Sequence, residues 1–136
     1  MSTLNVSNIS DGTDTVATGY VVNGSTKTWV NYDGTGTPSI RDSLNASSIT
    51  DHAIGQTSIT VSSGFANVNY SVCASCSTES GTNTGKIAMP FTSHTGASPA
   101  APTTTNFRIA TVRTGSQDAG EADNPYNLAS AFGDLA

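Results

Sequence analysis

Thr26-Lys27-Thr28-Trp29-Val30-Asn31-Tyr32, followed by Asp33-Gly34-Thr35-Gly36-Thr37-Pro38 and then Ser39-Ile40-Arg41-Asp42-Ser43, is the stretch that decides the fold. In an extended chain successive side chains point to opposite faces, so Trp29 and Asn31 share one face and Val30 and Tyr32 the other. Large apolar groups then stand on both faces. That pattern suits a strand covered on both sides, by a second sheet and by another subunit. The Asp33-Gly34 pair supplies the positive-φ positions of a hairpin loop, and Pro38 has no N–H to give to a central strand. The stretch therefore reads as strand, turn-rich loop, strand. With Trp29 in a core, Trp29→Ala is expected to cost about 3–5 kcal/mol and to block assembly.

Upstream, residues 15–22 are rich in β-branched side chains and close on Asn23-Gly24, the dipeptide best suited to a two-residue hairpin. Residues 4–9 alternate apolar and polar before the turn signal Asp11-Gly12, which predicts a short strand at a sheet edge or on another subunit. Downstream, further strands are expected over residues 46–49, 57–61, 68–74, 86–89 and 106–113. Residues 92–105 have no periodicity and read as a long loop stiffened by Pro99 and Pro102. At the end, Asn124 is a candidate helix cap, Pro125 suits a first turn, and Tyr126, Leu128, Ala129 and Phe132 would share one helical side. About eight short strands with regular turn signals predict an all-β fold. The expected form is an antiparallel β-sandwich or jelly-roll-like domain with a short C-terminal helical turn. Residues 1–136 read as a single β domain: an N-terminal strand and hairpin arm over 1–25, a sandwich core over 26–113, and a C-terminal tail over 114–136.

Composition narrows the function. Charged residues make up 11% of the chain, against roughly 25% in an ordinary globular domain. A surface so weakly charged repels its neighbours little, as suits a protein packed against copies of itself. The net charge of −5 rests on only five Lys and Arg, which never cluster. Electrostatic binding to nucleic acid is therefore not expected. No stretch approaches the roughly 20 apolar residues of a membrane span, and the start lacks a basic-then-apolar signal, so neither membrane insertion nor export by that route is expected.

No group reads as catalytic or as holding a cofactor. Cys73-Ala74-Ser75-Cys76 would need further ligands at fixed spacing to bind zinc, and His52 and His94 stand alone. A redox pair would want a helix after it, yet Val68, Tyr70, Val72 and Ala74 alternate as in a strand; the two cysteines read as reduced structural thiols. Asp51 and His52 are adjacent, hence on opposite faces of a strand. Gly-x-Ser-x-Gly, the phosphate loop and Gly-x-Gly-x-x-Gly are all absent. Asp118, Glu121 and Asp123 form the densest acidic group, but their spacing does not fit a twelve-residue calcium loop; a solvated loop is expected, an ion shared between subunits being the alternative. The residues expected to form core and subunit interface are Trp29, Val30, Tyr32, Tyr126, Leu128 and Phe132.

The segment Trp29-Val30-Asn31-Tyr32-Asp33-Gly34-Thr35-Gly36-Thr37, with Ile40-Arg41-Asp42-Ser43-Leu44-Asn45-Ala46-Ser47-Ser48-Ile49-Thr50-Asp51, resembles one found in small structural proteins of tailed bacteriophages, especially marine ones, often described as tail-fibre proteins. The likeness extends to Met1-Ser2-Thr3-Leu4-Asn5-Val6 and to the stretch from Phe65 to Tyr70, about half the chain. Where such proteins carry a Gly-Asp-Tyr-Thr-Val strand this chain has Gly55-Gln56-Thr57-Ser58-Ile59-Thr60-Val61, and residues after Cys76 fall outside the likeness. The resemblance carries no catalytic residue across. It implies a virion component, assembled in the host cytoplasm, that associates with itself as a homotrimer and with other virion proteins. A tail fibre or appendage that contacts a host surface receptor is the first expectation. A capsid decoration protein is the alternative, favoured by a short chain without a shaft and by apolar segments at both termini that could act as arms. A carbohydrate-active or lectin domain is the remote third.

Overall fold

The computed structural model describes residues 2–77, 85–90, 101–114 and 120–136. At the N-terminus the Asp11 carboxylate folds the chain back. Its Oδ1 accepts from the N–H of Thr13 at 2.9 Å and of Asp14 at 2.8 Å, and these bonds to the charged form hold its pKa below the usual carboxylate range. Strand β1 (Asn8–Ser10) thereby meets β2 (Thr15–Ala17) in a two-stranded ribbon with Ile9 opposite Val16. The chain then enters a helix, α1 (Thr18–Gly24), where the sequence predicts a strand over 15–22 closed by a hairpin at Asn23-Gly24. The reason is hydrogen-bond supply. β2 has β1 on one side and no strand on the other, so a longer strand would leave its backbone groups unpaired, whereas a helix satisfies them within the segment. The Thr18 N–H donates to the Ser7 carbonyl and its hydroxyl to that of Val6, which pins the helix start beside β1.

The remaining strands are β3 (Thr28–Asp33), β4 (Ser39–Leu44), β5 (Ala46–Ala53), β6 (Gln56–Val61), β7 (Ser71–Cys76), β8 (Gly85–Pro90), β9 (Asn106–Thr114), β10 (Gly120–Glu121) and β11 (Asn127–Phe132). All pairs are antiparallel. One sheet has the order β4-β3-β11-β7; the other runs β10-β9-β6-β5 with β8 also on β9. They face each other as a sandwich. Val30, Tyr32, Val72, Ala129 and Ala131 from the first sheet form one apolar cluster with Ile59, Val61, Phe107 and Ile109 from the second, together with Phe65 and Tyr70 of the β6–β7 connection. Phe65 and Tyr70 stack with ring centroids 4.0 Å apart, and Phe107 meets Tyr70 edge-on at 6.4 Å, geometries that add to simple area burial. Between the sheets the Tyr32 hydroxyl bonds Thr57 Oγ1 at 2.7 Å, and burial pushes its pKa up to about 12.

Lettered from β5 and passing from β11 back to β3, the pairs β5-β6-β9-β8 and β7-β11-β3 follow the ABED and CFG orders of immunoglobulin-type sandwiches. The chain opens where such a fold would have its F–G hairpin. There the Lys27 N–H donates to the Ala131 carbonyl at 2.9 Å.

The C-terminal segment corrects the sequence reading. Residues 124–132 form no helical turn, and the tail does not lie outside a 26–113 core: β11 sits between β3 and β7, at the centre of its sheet. Its burial alternates, with Asn127, Ala129 and Ala131 inside and Leu128, Ser130 and Phe132 on the other side. The period is thus 2 and not 3.6, and small alanines fit the tight space between the sheets. Eleven strands occur among the described residues where about eight are expected. β1 and β2 overlap the strands expected over 4–9 and 15–22, each only in part; the strands with no counterpart in the sequence reading are β10, two residues long, and β11, where a helical turn is expected. Of the expected 92–105 loop, residues 92–100 lie outside the described residues.

Candidate assembly surface

The register of the first sheet sets which side chains meet on its outer face. Across the four strands Leu44, Trp29, Ser130 and Cys73 stand in one row, and Asp42, Asn31, Leu128 and Ser75 in the next. Trp29, Leu128 and Leu44 remain 36%, 49% and 50% exposed. Trp29, Leu128, Cys73, Ser75 and Ser130 border an open depression of about 310 Å³, with Val30, Ala74 and Ala129 beneath. None of these residues is charged. The site is a weakly polar hollow beside one large aromatic ring, and the nearest carboxylate by register is Asp42, in the row of Asn31 and Leu128. No family model, no curated protein and no solved structure matches the chain.

The six residues expected at core and interface divide by strand face. Val30 and Tyr32 are each 1% exposed and belong to the core. Trp29 does not; it looks outward, because it alternates with them. Leu128 is brought beside Trp29, and half-buried Phe132 ends the same side of β11, opposite Ser71. Tyr126 is separate. The Arg41 guanidinium lies 4.5 Å from its ring centroid, pairs with Asp33 at 2.7 Å and donates to the Pro125 carbonyl. That cluster clamps the approach to β11 onto the β3–β4 hairpin. Leu44, Cys73 and Ser130 escaped the sequence reading, since each joins Trp29 only through a register that no single strand reveals.

Other candidates have structural occupations. Cys73 and Cys76 are free thiols, the first exposed and the second half-buried, and burial raises the Cys76 pKa. A raised value means little thiolate, the opposite of a reactive cysteine. Near His52 the β5–β6 register shifts between Asp51 and Ala53, and the ring reaches Ser58, Nε2 to Oγ 2.7 Å. No motif in the sequence marks this serine–histidine pair. Ser58 is only 4% exposed and sits opposite Arg108 on β9, so its hydroxyl is poorly reachable as a nucleophile. Burial first and the Arg108 charge second lower the His52 pKa.

His94 and Asp118 lie outside the described residues. Of the acidic group, Glu121 accepts from Gln56 Nε2 at 2.8 and 2.7 Å and Asp123 accepts from the Gly55 N–H at 2.7 Å. The reading of a solvated acidic loop is corrected for these two carboxylates: they tie the C-terminal segment to β6. Among the described residues no three His, Cys, Asp or Glu side chains converge as a metal site would require.

Proposed function

We propose that the chain is a non-enzymatic structural component of a tailed-phage particle, a homotrimer placed in a tail fibre or appendage that engages a host surface receptor. The observation that carries this reading is the cluster of large apolar side chains on the outer face of the first sheet, where Trp29, Leu44 and Leu128 stay exposed around the depression. Large apolar side chains clustered on an otherwise polar face suit a contact surface. The residues lining the depression are uncharged, and the low charge of the whole chain suits close packing with copies of itself and other virion proteins. The segment that resembles phage structural proteins adds support: residues 29–51 make up β3, β4 and most of β5, one continuous unit of the fold. The reading needs no cofactor, nucleic acid or membrane insertion, and places the protein in virions assembled in the host cytoplasm.

Capsid decoration is the second reading. It is favoured by the N-terminal arm, which stands off the sandwich with all of residues 2–17 exposed, as a clamp over neighbouring shell subunits would. Gold-labelled antibody on purified particles separates the two. Label confined to the tail supports the fibre, label over the whole shell supports decoration, and unlabelled particles reject both.

A further inference from the structure

We propose that the N-terminal arm of one copy, residues 2–24, covers the Trp29 depression of the next. This rests on the self-association read above and names its contact. The arm folds into β1, β2 and α1, yet every residue from 2 to 25 is exposed apart from Thr18, which is half-buried. A lone two-stranded ribbon is marginally stable in water. The seven residues of α1 fall well short of the roughly 12–15 that an isolated helix needs. Ile9 and Val16, paired across the ribbon, and Tyr20, Val21 and Val22 on the helix are all exposed. Their cover must come from another molecule.

The depression is the matching surface for three reasons. The first is position: the arm leaves the sandwich at Lys27, bonded to Ala131, so it departs from the end of β3 and β11, the two central strands beneath Trp29 and Leu128. That exit is held. Asn45 Nδ2 donates to the Lys27 carbonyl at 3.1 Å, and Lys27 Nζ donates to the Val22 carbonyl and to Ser25 Oγ. The second is chemistry: residues 15–24 carry no charge, Asp11 and Asp14 being confined to the turn, and the lining of the depression carries none either. Their union buries apolar surface without stranding an ion. The third is that the arm leaves its own depression open, since Trp29 and Leu128 stay exposed. Arm and depression are different patches of one chain, so the contact repeats head-to-tail, and the homotrimer proposed above is the arrangement in which the rotation between copies closes it as a ring of three.

The test uses the full chain and two double substitutions at exposed positions, Tyr20→Ser with Val22→Ser in the arm and Trp29→Ala with Leu128→Ser on the face. Light scattering gives the mass, circular dichroism the fold, and mass spectrometry the rate of maleimide addition to Cys73, which lines the depression. The parent is expected at about three chains, and both variants as folded monomers. Cys73 of the arm variant should react at least about tenfold faster than that of the parent, because its cover is gone. An arm variant that keeps the parent's mass and its slow Cys73 overturns the arm contact and leaves self-association standing. A face variant that stays assembled overturns the depression as receiver. A parent that is monomeric overturns both this contact and the self-association on which it rests.

Discussion

Residues 120–136 run through the centre of the molecule, whereas residues 2–25 lie outside its sandwich. Both are short terminal segments with scattered apolar side chains, and hydrophobic pattern alone treats them as equivalent arms. Polar contacts separate them. The C-terminal segment is held by distant groups at almost every step: Glu121 by Gln56, Asp123 by Gly55, the Asn124 carbonyl by the Gly34 N–H at 2.9 Å, and Pro125 by Arg41. Asn127, 2% exposed, donates to Asn124 at 2.7 Å and reaches Thr111. The N-terminal segment bonds chiefly within itself, with Lys27 at its root. A terminal segment thus belongs to the core when its amides and carboxylates find partners far along the chain, and its apolar residues are then small enough to be enclosed.

The sharpest way to break this contrast is to cut both ends. Removing residues 127–136 takes out a strand paired on both sides and the buried Ala129 and Ala131. The loss should exceed the whole stability of about 5–15 kcal/mol expected for a domain, so no cooperative urea transition is expected. Removing residues 2–24 should shift the unfolding free energy of dilute protein by less than about 1 kcal/mol, as surface changes do. A chain that unfolds equally without either segment would dissolve the distinction.

Next in size is Gly55→Ala, at the point where the C-terminal segment locks onto β6. Gly55 has φ +69°, and a Cβ there would stand 2.5 Å from the Thr111 carbonyl oxygen and 2.7 Å from the Ala122 nitrogen. Both neighbours are backbone and cannot step aside. Left-handed strain and overpacking together should cost about 2–4 kcal/mol in urea unfolding. A change below half of that would mean the seam between β6 and β10 is looser than its hydrogen bonds imply.

Much of the sandwich was legible in the sequence because β3 and the first half of β9 alternate apolar residues with period 2. Val30 and Tyr32, and Phe107 and Ile109, announce strands wherever they are read. β11 was not, since Asn127, Ala129 and Ala131 are small or polar inside while Leu128 and Phe132 stand on the other side; the alternation is inverted, and Asn124-Pro125 imitates a helix start. α1 was missed for the converse reason: Val21 and Val22 are good strand residues with no strand beside them. Of the surface site, Trp29 and Leu128 could be named in advance. Their adjacency to Leu44 and Cys73 depends on a four-strand register that only the folded sheet sets.

Trp29 sharpens the comparison within a single strand. At 36% exposure it is not the core residue that a cost of about 3–5 kcal/mol presumes. Trp29→Ala should lower the stability of the dilute chain by about 1–2 kcal/mol, the worth of its cross-strand contacts with Leu44 and Ser130. Tyr32→Ala, three positions on and facing inward, should cost about 3–5 kcal/mol. Equal losses in chemical denaturation would place Trp29 back in the core.

The smallest effect belongs to His52 and is read from pH. Burial and the nearby Arg108 charge depress its folded pKa below the ordinary 6.5, and Asp51 offsets them only in part. Between the folded value and 6.5 the unfolded chain takes up a proton that the folded chain does not. Stability is therefore full above about pH 6.5 and declines as pH falls through that window, levelling off once both states are protonated. His52→Gln removes the titration and can keep a hydrogen bond toward Ser58, so its melting temperature should vary less between pH 7.5 and about 5 than the parent's. Carboxylates such as Asp33, whose pKa lies below the usual range through bonds from Thr35 and the charge of Arg41, act at lower pH and affect both proteins alike. An unchanged slope in the variant would mean that the pair with Ser58 leaves the ring as free to protonate as in the unfolded chain.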